Sequence, residues 1–389
     1  MQNDLANVIF ALLRFELFEE QIDEALLPTI TPEIAVKVYK VGFLHDVGHL
    51  IADALDKLAL LPNGDMKNKM LTERSKAVFR FEQLDYETQE IVGVLEEEKI
   101  PYVLLKGAVI RKNYPHPWMR TSCDVDILVK KEDFERATNA VVEKLDYKAM
   151  PQGGHDISLY SGGGTHLELH YALFDDFRYG KALDVLDRIW EYAYRLDENK
   201  YAYAFMDEAF YFYHIAHMAK HFEEGGCGIR SFIDLYYLDN VWEYQTEKRD
   251  VLLEQGGLLK FANGMRTLTR TWFCKQPYTG LTKMVETYIL EGGVYGTMDN
   301  RVTLQQTKSG SKAKYFISRV WVPYDLLKHE SKTLQKHKWL LPFYQVRRWF
   351  RMLFRGRMRV RMKEMDKATN VSQERTKQTQ QMLKELGLE

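Results

Sequence analysis

Residues 101–129 read Pro-Tyr-Val-Leu-Leu-Lys-Gly-Ala-Val-Ile-Arg-Lys-Asn-Tyr-Pro-His-Pro-Trp-Met-Arg-Thr-Ser-Cys-Asp-Val-Asp-Ile-Leu-Val. An apolar run at 102–105 stops at Lys106-Gly107, and helix-forming residues follow. A proline-broken link then leads into Asp124-Val125-Asp126 and the apolar 127–129. Side chains two apart in a strand share a face, so Asp124 and Asp126 present their carboxylates side by side. Two like charges that close are costly without a cation between them, and Mg²⁺ takes oxygen ligands of this kind. A glycine at a strand-to-helix turn lets backbone N–H groups approach a phosphate at the positive end of the helix. The stretch therefore implies a site for a metal-bound nucleoside triphosphate.

Working outward, the next strand signal is His166-Leu167-Glu168-Leu169-His170. Period two puts His166, Glu168 and His170 on one face and the leucines on the other, which supplies a third carboxylate in Glu168. The Asp pair favours a hard cation here over zinc. Ser161-Gly-Gly-Gly-Thr165 joins this strand to the alternating run 155–160 as a hairpin.

The order Lys106-Gly107-Ala108, Tyr114-Pro115-His116-Pro117, Arg120 and Asp124-x-Asp126-Ile-Leu-Val129 resembles the polymerase-beta-type nucleotidyltransferase superfamily. More narrowly, it resembles the bacterial family called uncharacterised nucleotidyltransferases. The likeness runs well over 85–240 and loosely toward the ends. It implies that Asp124, Asp126 and Glu168 are catalytic and hold Mg²⁺, with Mn²⁺ as an alternative. It also implies an NTP substrate, ATP by default, and transfer of NMP to an unknown hydroxyl acceptor with release of pyrophosphate. Lys106, Gly107, Ala108 and Arg120 are expected around the triphosphate. Lys220 and Arg230 stand with His217, His221 and Asp234 in similarly placed motifs and are expected to contact phosphate or substrate. Two departures are that Ala108 replaces a common serine, and that the interval from Gly107 to Asp124 is longer than in compact members.

The chain of 389 residues, 46% hydrophobic and 28% charged, is long enough for two or three structural units. A net charge of −1 speaks against a nucleic-acid-binding field over the whole chain. Cys123, Cys227 and Cys274 form no close pair and no zinc-like spacing, which fits a reducing, cytoplasmic setting; Cys123 is expected in the core. The N-terminus lacks the pattern of a signal peptide, and no apolar run is long enough to span a membrane.

The expected fold class is α+β, a small mixed β-sheet core flanked by N-terminal and C-terminal helical regions. Residues 1–69 form the first region, with apolar residues at helical spacing from Val8 to Leu17 and a second, capped helix start at Thr31-Pro32-Glu33. The core occupies 70–200, introduced by a long amphipathic helix at 70–99, with a helix near 183–194 in its closing connection. Residues 201–389 form the C-terminal helical region with a basic tail, in which 303–314 reads as a mobile polar loop.

Three other readings compete. A glycosyltransferase can carry Asp-x-Asp, but its apolar run precedes the acids, whereas here it follows them. A non-catalytic nucleotide- or partner-binding protein on the same fold is the second. The third is Phe43-Leu-His-Asp-Val-Gly-His49, which resembles the His-Asp pair of metal-dependent phosphohydrolases; His45 is the first histidine of the chain, so the upstream ligand is missing. The segment 347–363 holds eight Lys or Arg residues and no acid. It reads as a surface for an anionic membrane or nucleic acid, or as a terminal helix packed by its own aromatics.

Overall fold

The computed structural model describes residues 2–174, 180–327, 331–354 and 358–389. Its contacts divide the chain into two units, 1–218 with 228–282, and 219–227 with 283–389. The sequence-based boundaries at 69/70 and 200/201 remain a proposal about separately folding segments.

In the first unit, alternation of apolar and polar residues produces the sheet that carries the site. Strands β1 (Tyr102–Leu104), β2 (Asp124–Val129), β3 (Lys148–Ala149), β4 (Asp156–Tyr160), β5 (His166–His170), β6 (Ala193–Arg195) and β7 (Ala202–Phe205) form one sheet. Their order is β3-β4-β5-β2-β1-β7-β6. The β2–β5 and β1–β7 pairs are parallel and the others antiparallel, so the sheet is mixed. The fold is α+β with helical flanks, as expected.

Helices α1 (Gln2–Phe18), α2 (Pro32–Leu44) and α3 (Gly48–Lys57) precede the sheet. Thr31 caps α2 by accepting a hydrogen bond from the Ile34 N–H, and Pro32 opens it. Helix α4 (Asp65–Glu97) is longer than the expected 70–99 at its start and has no proline within it. Met70, Ala77, Leu84 and Ile91 recur every seven residues and are buried along one side. After α5 (Gly107–Ile110) and β2 comes α6 (Phe134–Leu145).

Val125, Ile127 and Val129 of β2 and Leu167 and Leu169 of β5 share one buried cluster with Leu84, Ile91 and Leu95 of α4 and Ala137 and Val141 of α6. Each fully buried aliphatic side chain contributes about 1.5–3 kcal/mol, so this face is the sheet's core. Period two then turns Asp124, Asp126, His166, Glu168 and His170 to the opposite face.

Two expectations fail in this unit. The helix near 183–194 stops early, as α7 (Lys181–Leu186), and a short turn then leads into the β6–β7 hairpin. The Asp197 side chain accepts from the Asn199 N–H and tightens the link between those strands. Cys123 is exposed instead of core, because it falls one residue before β2, where the chain is still turning. Helices α8 (Asp207–Glu223), α9 (Ile229–Asn240), α10 (Thr246–Gln255) and α11 (Leu259–Phe273) follow the sheet.

In the second unit, the expected loop at 303–314 is largely helical. The helix Met298–Lys308 is capped by Thr297, and the next, Lys312–Val320, by Ser311. The polar run misled because Asn300, Thr303 and Gln306 are buried beside Val302 and Leu304. Among the described residues no helix is long and apolar enough to cross a membrane. Of the basic segment 347–363, residues 355–357 lie outside the described residues.

Candidate functional site

The parallel register of β2 and β5 sets Asp124 opposite His166 and Asp126 opposite Glu168. Ligand atoms of Asp124, His166 and Glu168 lie within 4.8 Å of one another, as do those of Asp126, Glu168 and His170. Glu168 is common to both sets, so the three carboxylates and two histidines make one continuous centre.

Each side chain is held. Lys106 Nζ lies 2.9 Å from Asp126 Oδ1, and His170 Nε2 lies 3.1 Å from the same oxygen. His170 Nε2 is also 3.6 Å from Glu168 Oε2, while His166 Nε2 is 3.8 Å from Glu168 Oε1 and 3.0 Å from Ser158 Oγ. Ser122 Oγ donates to Asp124 Oδ1 at 2.9 Å. Burial alone would raise the Asp126 carboxyl, but the Lys106 ammonium and the His170 hydrogen bond hold it well below the usual range. Burial, then the charges of Asp126 and Asp124, push Glu168 up to about 7, with Lys106 opposing. Despite its burial, Lys106 is held above the ordinary lysine range by Asp126.

Lys106 reaches this position from a left-handed backbone, φ +42°, at the turn from β1 to α5. For a residue with a side chain this conformation costs about 1–3 kcal/mol and tends to mark sites where placement matters. The next residue, Gly107, is constrained differently. A Cβ there would stand 2.4 Å from Arg120 Nη1, so the glycine makes room for the arginine.

Arg120 itself is buried. Its Nε and Nη2 donate to Asp234 of α9 at 3.2 and 2.8 Å, and the Tyr114 hydroxyl donates to Asp234 at 2.7 Å. Arg111, also buried, donates from Nε to the Gly107 carbonyl at 2.8 Å. Burial and the neighbouring Arg120 lower Arg111 to about 10. The loop between α5 and β2 is thus fastened from below by two arginines and one aspartate.

The structure brings Asp124, Asp126, Glu168 and Lys106 together. Gly107 adjoins them through the turn, and half-buried Ala108 lies within the first turn of α5. Arg120 stands beneath that turn, paired with Asp234. Arg230 Nη1 lies 3.0 Å from Asp46 Oδ2 and 3.0 Å from the Thr121 carbonyl, steadying the approach to β2. Lys220 belongs to the second unit.

The His-Asp stretch at 43–49 has structural partners. His45 Nδ1 accepts from the Ile229 N–H, His49 Nε2 bonds the Met119 carbonyl at 2.8 Å, and Asp46 pairs with Arg230. Sequence reasoning missed Tyr213, a buried residue of α8. Burial raises its hydroxyl, and Lys106, Asp126, Asp124 and Glu168 all act on it. Its spacing of four from His217 was the available signal.

Fold and site together define an α+β protein with a carboxylate–histidine centre on the face of a mixed sheet opposite its helical core. The chain belongs to the family of uncharacterised nucleotidyltransferases, whose model matches residues 35–274. That span runs from α2 through α11 and contains every site residue named above and none of the helices that follow α11. Comparison with curated proteins and with solved structures gives no match.

Proposed function

We propose that the chain transfers a nucleoside monophosphate from a nucleoside triphosphate, ATP by default, to a hydroxyl of a small molecule or protein. The bond from the acceptor oxygen to the α-phosphorus forms, the bond to the β-phosphate's bridging oxygen breaks, and pyrophosphate leaves with that electron pair. The acceptor's proton passes to a site carboxylate or to water. The observation that carries this reading is the parallel register that puts Asp124, Asp126 and Glu168 on one patch of sheet beside Lys106.

The donor set fits a divalent cation. Three carboxylates converge with two imidazoles, an arrangement that one lysine only partly neutralises. Asp124, Asp126 and Glu168 would hold the ion, and when bound it would supply charge stabilisation at the transferred phosphoryl group. Mg²⁺ is the proposed ion, with Mn²⁺ as substitute. Lys106 is placed to stabilise charge on the phosphates, and Gly107 with Ala108 keeps the turn beside it narrow. Arg120 and Arg230 fix the loop that delivers Asp124. A kinship with the polymerase-beta-type superfamily and a cytoplasmic location belong to the same proposal.

The test is triphosphate binding by calorimetry, with and without Mg²⁺, beside Asp124→Asn/Asp126→Asn, followed by assay of pyrophosphate release and intact mass. Metal-dependent binding lost in the double variant is the expected result. Binding without turnover for any acceptor class would favour a nucleotide-binding role. No binding of any triphosphate to the folded chain would overturn the reading.

A further inference from the structure

The second unit presents an exposed apolar surface of its own. In the helix Leu341–Phe354, Phe343, Val346 and Phe350 are 63%, 42% and 55% exposed, and Trp339 just before it is 77% exposed. Residues 343, 346 and 350 follow the helical repeat and form one stripe. The helix is anchored by another side: Gln345 is buried, and Arg348 Nη2 and Trp349 Nε1 donate to the Val320 carbonyl at 2.6 and 3.0 Å. A contiguous apolar stripe held outward in this way signals a partner, whereas scattered exposed apolar residues do not.

Charge says which partner. From 331 to 363 the chain carries eleven Lys or Arg residues and no Asp or Glu, and Arg347 and Arg351 are exposed beside the stripe. A second copy meeting this segment through the same face would bring like charge against like charge. A nucleic acid would match the charge but has no need of an aliphatic and aromatic stripe at helical spacing. An anionic bilayer answers both features, phosphate headgroups to the arginines and the acyl boundary to the stripe, with tryptophan at the interface between them.

We propose that the segment 338–351 docks the protein on the anionic surface of a lipid bilayer, lying in the interface without crossing it. Arg347 and Arg351 give electrostatic attraction, and Trp339, Phe343, Val346 and Phe350 insert among the upper acyl carbons.

The experiment is co-sedimentation of the full chain with vesicles of phosphatidylcholine, with or without one-third phosphatidylglycerol. Binding is expected only to the anionic vesicles and should fall as salt is raised. Each surface arginine is worth about fivefold in partitioning, so Arg347→Gln/Arg351→Gln should lose about 25-fold. Phe343→Ser/Phe350→Ser should lose binding while leaving the far-ultraviolet circular dichroism unchanged, since both side chains are more than half exposed. Three outcomes would overturn the proposal. One is no partition of the unaltered chain into anionic vesicles. Another is partition indifferent to both pairs of substitutions. The third is a stripe whose serine variants dissociate a dimer, or arginines that retain RNA, without any effect on vesicles.

Discussion

At the scale of single residues, the centre differs from an all-oxygen site in its two imidazoles. His166 and His170 flank Glu168 on the same strand face, and nitrogen donors suit Mn²⁺ better than Mg²⁺, which prefers oxygen. His170→Ala should therefore weaken Mn²⁺ binding, read by electron paramagnetic resonance, by roughly tenfold, and Mg²⁺ binding by less. Equal losses for the two ions would mean that His170 only orients Asp126. Gly107 supports a second expectation. In Gly107→Ala the new methyl meets Arg120 Nη1 at 2.4 Å, and the buried guanidinium must give way. The variant should lose about 1–3 kcal/mol in urea unfolding, the usual cost of overpacking. Asp124, Asp126 and Glu168 were legible in the sequence because period two announces which acids share a strand face. Arg120 was expected around the triphosphate, and its place as Asp234's buried partner was not legible. That pairing joins residues far apart in the chain, and no local pattern encodes it.

At the scale of elements, α9 clamps the loop before β2 through Asp234. Asp234→Asn would leave Arg120 charged, buried and poorly paired, at a cost of about 3–5 kcal/mol. Calorimetric melting checks this, and an unchanged midpoint would show that the loop is held by other means. A second cluster ties α1 to α3, where Lys57 Nζ lies 2.7 Å from Glu16 and 3.0 Å from Asp53. Burial pushes the Glu16 carboxyl up to about 7, with Lys57 opposing and Asp53 assisting. Folded Glu16 holds its proton more tightly than the unfolded chain does. Its contribution is thus fully present below the ordinary carboxylate range and is lost as pH rises toward 7. Glu16→Gln should accordingly gain stability relative to the parent between pH 5 and pH 8, by up to about 3 kcal/mol. A difference that does not vary with pH would contradict the shift. The elements legible beforehand were those with strong punctuation, such as Thr31-Pro32 before α2 and the glycine run between β4 and β5. The β6–β7 hairpin was hidden because three- and four-residue strands carry too little alternation, and β7 also pairs in parallel with β1, a partner far off in the chain.

At the scale of the whole chain, near-neutrality conceals a strong separation of charge. The sequence holds 54 Lys and Arg against 55 Asp and Glu; setting aside the eleven basic residues of 331–363 leaves 43 against 55. Total charge therefore says little about what the chain meets, and the argument from −1 against anionic partners holds only for the remainder. A polyanionic surface would repel most of the chain and attract one segment. Retention on a heparin column at neutral pH should consequently be governed by that segment, although the protein as a whole is slightly acidic. Substituting Lys336, Arg347 and Arg351 by Glu should move elution to clearly lower salt. Substituting three lysines of α4, such as Lys67, Lys69 and Lys76, should move it little. If both triple variants shifted alike, charge would be acting through the average field, and the separation read from sequence would have no consequence for docking.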